Sequence, residues 1–116
     1  MAKPSVKKQN EAIKSEAERL HSVFLCLSDS KREVAKELIE RVAFMTVQLR
    51  VLEDTIKTKG PTYIYENGPQ KMLVESPAQK SYNSMINRYT AACDKLMNML
   101  PEEKQDDVMQ DDFEDI

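Results

Sequence analysis

His21, Cys26 and Cys93 are the side chains best suited to nucleophilic or metal chemistry in this chain, and their number and spacing support neither. One imidazole and two cysteines without a C-x-x-C pair leave a zinc site short of soft ligands, so both cysteines read as buried, reduced thiols. The chain has two glycines, Gly60 and Gly68, and both stand in turn contexts, which excludes a glycine-rich phosphate cradle. Glu37, Glu40, Glu53 and Asp54 alternate with Lys36, Arg41, Arg50 and Lys57, the pattern of a solvated, ion-paired helix face. The residues argue against an enzyme, and no metal or cofactor is expected.

What remains is recognition. Residues 1–32 carry seven Lys or Arg against four acids, and Lys7, Lys8, Lys14, Arg19, Lys31 and Arg32 are the candidate DNA-phosphate contacts. No base-reading helix is evident among them. At the other end, residues 101–116 hold eight acids and one Lys, whereas residues 1–100 hold 16 Lys or Arg against 12 acids. Val108, Met109, Phe113 and Ile116 are spaced among the tail's acids, as in segments that fold onto a basic groove of a partner.

These residues must be positioned by one small domain. The 116 residues are 41% hydrophobic and 6% aromatic with no Trp, which predicts a thin core. No window approaches the roughly 20 apolar residues of a membrane span, so no membrane partner is expected and the chain reads as soluble.

Ile13, Ala17, Leu20, Phe24 and Leu27 recur at helical spacing and predict an amphipathic helix over about 9–27, behind a solvated basic arm. Ser30 and Glu33 form a capping-box pair for a second helix. That helix carries the strongest stripe in the chain, Ala35, Leu38, Val42, Met45, Leu49, Leu52 and Ile56, and ends at "KTKGP". Ser76, Pro77 and Gln79 start a third, with Tyr82, Ile86, Tyr89, Cys93, Leu96 and Leu100 in line until Pro101. Matching seams on two long helices fit an antiparallel pair.

Between them "TYIYENGPQKMLVESP" alternates like two strands around Asn67-Gly68, with Pro69 favouring a three- or four-residue loop. An isolated hairpin with two open edges and apolar residues on both faces needs a neighbour. Phe44, Val47 and Val51 lie off the main seam of the second helix. Together with Tyr63 and Tyr65 they predict an oligomer interface. The fold class is therefore mainly α: an N-terminal amphipathic helix, two long antiparallel helices joined by a β-hairpin, and a disordered acidic tail. Its parts are a basic arm and first helix (1–30), a helix-hairpin-helix oligomerisation core (31–101) and the tail (102–116).

The run "ELIERVAFMTVQLRVLEDTIKTKG", then "YENGPQK", then "ESPAQKSYNSMINRYTAACDKLMNMLP" resembles the small terminase subunits of tailed bacteriophages. The residues that carry the likeness are Ala43, Phe44 and Met45, then Asn67 and Gly68. Ser76, Pro77, Ala78, Tyr82, Asn83, Tyr89, Thr90, Leu100 and Pro101 complete it. The resemblance implies a non-enzymatic DNA-packaging factor in the host cell cytoplasm. Such a factor is a homo-oligomer that binds viral double-stranded DNA and regulates or recruits the large terminase subunit, here through the tail. Fuller members of that family carry a larger helical region before the matched segment, credited with DNA recognition, where this chain offers residues 1–30. The competing reading is a small helical protein-protein adaptor without DNA binding.

Overall fold

The computed structural model describes residues 3–102, 104 and 105. Helix α1 (Val6–Val23) begins earlier than the apolar stripe indicates, because the Ser5 hydroxyl accepts from the Lys8 amide at 3.2 Å and caps the first turn. Lys7 and Lys8 are therefore helical residues and not part of a free arm. The helix tightens into a 3-10 turn at Phe24–Cys26, which buries Phe24 and Leu27 while leaving Cys26 exposed. Cys93 is half-buried, and neither thiol is in a disulfide. The expectation of two buried cysteines thus fails: the stripe through Phe24 and Leu27 turns Cys26 outward.

Helix α2 (Asp29–Lys59) is capped by Ser28, whose hydroxyl accepts from the Lys31 amide at 3.4 Å. The predicted capping box at Ser30 and Glu33 does not form. Leu27 is buried in an extended conformation directly before Ser28, so the helix starts two residues ahead of that pair. At 1.5 Å per residue its 31 residues run about 46 Å. Gly60 ends it with φ 85° and ψ 163°, a positive φ outside the left-handed helical region, and its amide returns to the Ile56 carbonyl at 2.7 Å.

Strands β1 (Thr62–Asn67) and β2 (Gln70–Glu75) pair antiparallel from Thr62 opposite Glu75 to Asn67 opposite Gln70. The loop is therefore the two residues Gly68-Pro69, shorter than expected. Of these two, only Gly68 has a positive φ, 63°, the arrangement of a II′ turn, in which proline's negative φ is accommodated at the second position. Helix α3 (Pro77–Asn98) opens as predicted, with the Ser76 hydroxyl accepting from the Gln79 amide at 3.1 Å and Pro77 at the first position. The Gln79 side chain does not return to Ser76 but donates to Asn83 Oδ1 at 2.7 Å. After Pro101 the chain turns again, with the Lys104 and Gln105 amides on the Pro101 carbonyl.

Helix α2 packs against both α1 and α3. Its buried residues, Ala35, Ile39, Val42, Ala43, Thr46, Val47 and Leu49, sweep an arc of roughly 160° at 100° per residue. A single neighbour needs only about 100°. The core gathers Phe24, Leu27, Ala35, Ile39, Val42, Ala92, Leu96 and Leu100 at the end of the bundle away from the hairpin. Beyond Leu49 no residue of α2 is fully buried. The radius of gyration, 17.9 Å, exceeds the roughly 13 Å of a compact 100-residue domain, and the longest dimension is 63 Å. Among the described residues no helix is long and apolar enough to cross a membrane.

Candidate interaction surfaces

Two hydrogen bonds hold the hairpin at its base. The Ser76 amide donates to the Pro61 carbonyl at 2.8 Å, and Asn83 Nδ2 donates to Glu75 Oε2 at 3.1 Å. All of β1 is exposed, and in β2 only Val74 is half-buried. Cross-strand partners share a face, so Tyr63 with Val74 and Tyr65 with Met72 form one apolar face. Ile64 with Leu73 form the other, flanked by a Glu66–Lys71 ion pair at 3.7 Å. Exposures of 45% for Tyr63, 49% for Tyr65, 63% for Ile64 and 71% for Leu73 leave both faces open to water.

Behind the hairpin, Tyr82 on α3 donates its phenol hydrogen to Glu53 Oε2 on α2 at 3.0 Å. That hydrogen bond is the main cause that raises the Tyr82 pKa, with partial desolvation and the Glu53 charge adding to it. Tyr89, further toward the core, is raised chiefly by burial, with the Thr46 hydroxyl acting in the opposite direction. These two phenols sit at successive levels of the α2–α3 seam.

The predicted interface residues fare differently from one another. Phe44 is 45% exposed, Tyr63 and Tyr65 are exposed, and Val51 is half-buried. Val47 is a correction: at 6% exposure it is consumed by the chain's own packing and offers no surface. The apolar width of α2 read as a signal for another subunit is in large part met by α1 of the same chain.

The basic candidates are all exposed but do not converge. Lys7 and Lys14 are seven residues apart and share one face of α1, while Lys8 and Arg19 share another, about 100° away. Arg19 is held by Glu16 at 2.7 Å, and Arg32 pairs with Asp29 in the first turn of α2. Lys31 and Arg32 stand at the opposite end of α1 from Lys7 and Lys8, about 27 Å along an 18-residue helix. His21 shares a shallow groove with Asp29, Arg32, Glu33 and Lys36.

A different basic cluster does converge. Arg41 and Phe44 on α2 face Lys80, Ser81, Ser84, Met85 and Arg88 on α3 across an open groove of about 580 Å³. Arg41 read as an ordinary ion-paired helix residue, and its 3.7 Å contact with Glu37 agrees with that. Lys80 and Arg88 carried no signal, because only the register of α3 against α2 sets them opposite Phe44. Val108, Met109, Phe113 and Ile116, the predicted docking anchors, lie outside the described residues.

Comparison with protein-family models, with curated proteins and with solved structures gives no match for this chain.

Proposed function

We infer that the chain is a non-enzymatic assembly factor for viral DNA packaging, of the terminase small-subunit kind. In this reading it works in the host cell cytoplasm as a homo-oligomer. One observation carries the proposal: a hairpin with apolar residues on both faces, exposed along its length, projects from the end of an elongated helix pair. Two strands are marginal alone in water, so Tyr63, Tyr65, Ile64 and Leu73 gain stability by packing against a second copy. Val51, on the same half of α2, extends that surface. The residue pattern from 31 to 101 and the reading of α2 and α3 as an antiparallel pair support the same assignment.

Viral duplex DNA is contacted through Lys7, Lys8, Lys14, Arg19, Lys31 and Arg32, and the large terminase subunit through the tail. The test is native mass at low and moderate salt, followed by duplex binding across a salt series. A discrete multi-subunit species that loses duplex affinity steeply as salt rises supports the proposal. A monomer with no duplex binding at low salt overturns it.

The second reading, a helical adaptor without a DNA role, is favoured by one observation. The six basic candidates spread over two faces and both ends of α1, with Arg19 and Arg32 already in ion pairs. Assembly without duplex binding selects this reading.

A further inference from the structure

The groove between α2 and α3 joins an apolar floor to a one-signed rim. Phe44, Met45 and Met85 supply the apolar part, and Arg41, Lys80 and Arg88 the charge, with no carboxylate among the described residues that line it. The groove on the other side of Phe44 shares Arg41 but carries Glu40 beside Lys14. Among the described residues Lys80 and Arg88 have no ion-pair partner within 4.0 Å, and both are exposed. A basic, apolar-floored groove selects an acidic peptide with bulky apolar anchors.

The chain contains such a segment. Residues 106–116, "DDVMQDDFEDI", hold six acids, no base, and four anchors in Val108, Met109, Phe113 and Ile116. The reach is adequate. Gln105 is tied to the end of α3, its side chain donating to the Leu100 carbonyl at 2.8 Å. From Leu100 back to Arg88 is about 18 Å along α3 at 1.5 Å per residue. Eight extended residues, 106–113, span about 26 Å.

We propose that residues 106–116 dock in the α2–α3 groove of their own chain, with Phe113 against Phe44 and Asp111 and Asp112 facing Arg88. The contact does not depend on the packaging reading. Its consequence is that the tail has a resting site, and any external partner of the tail competes with that site.

Phe113→Trp in the full chain tests this directly, since the sequence has no other Trp. At low salt the indole emission is expected to be blue-shifted and several-fold less quenched by acrylamide than a free indole. That protection is expected to disappear at about 1 M salt, where the screening length falls to about 3 Å. Arg88→Glu, at an exposed position, is expected to abolish it, and adding Asp111→Lys with Asp112→Lys to restore it. A solvent-exposed indole at low salt overturns the proposal. So does protection indifferent to the charge reversals, which places the tail elsewhere, or protection that appears only as protein concentration rises, which places it on another copy.

Discussion

Phe44 and Val47 stand three residues apart on α2, yet Phe44 is 45% exposed and Val47 only 6%. The buried arc of α2 ends between them, so two residues that look equivalent in the sequence have opposite roles. Val47→Asp buries an unpaired charge and is expected to cost about 3 kcal/mol or more in denaturant unfolding. Phe44→Asp leaves its charge in water and is expected to cost less, about 1 kcal/mol, from the partial apolar burial that Phe44 loses. Equal, large losses from both would place Phe44 inside the core and remove the groove.

The start of α2 separates two serines in the same way. Ser28 accepts from the Lys31 amide, whereas Ser30 lies inside the first turn within 3.4 Å of the Ser28 hydroxyl. Ser28→Ala is expected to destabilise by about 1 kcal/mol, the usual value of an N-cap. Ser30→Ala should leave the unfolding midpoint nearly unchanged. The reverse order would restore the capping box expected at Ser30 and Glu33.

Gly68 has a φ of 63°, and a Cβ added there would have no neighbouring atom within 4 Å, so a side chain meets backbone strain and no clash. Gly68→Val is expected to cost the hairpin about 1–2 kcal/mol. Because no helix packs broadly on the hairpin among the described residues, that loss should appear as faster amide exchange across 62–75, with the melting of the helices little changed. Unaltered exchange in both strands would contradict the positive φ.

Two phenols link stability to alkaline pH. Tyr82 and Tyr89 have raised pKa values, Tyr82 first through its bond to Glu53 and Tyr89 first through burial. In the unfolded chain they titrate near 10. Their contribution is thus fully present below that pH, where both states hold the proton. Above it the folded state binds more protons, and the contribution is lost as pH rises through the folded values. Tyr82→Phe with Tyr89→Phe is expected to flatten the fall in stability measured by urea unfolding above pH 10. An unchanged slope would show that other groups set it.

The elements of this protein were legible from local chemistry. The stripes Ile13–Leu27, Ala35–Ile56 and Tyr82–Leu100, the Ser76-Pro77 start and the alternation around Gly68 each depend on neighbours within a few residues, and each element formed. Boundaries moved where two local signals competed. Ser5 and Ser28 cap earlier than the apolar stripes begin, and Pro69 fits a two-residue turn once Gly68 takes the positive φ.

The surfaces were not legible, because exposure is a property of contacts between segments distant in sequence. Helix α2 carries apolar residues over a wide arc, and only the docking of α1 and α3 decides that Val47 is covered while Phe44 is left in water. The same register sets Lys80 and Arg88 opposite Arg41, making a basic groove from residues that look ordinary in their own helices. Helical periodicity and capping are short-range and follow from the order of residues. Which face remains open follows from how three helices divide a limited apolar area among themselves, and that division is settled only when they pack.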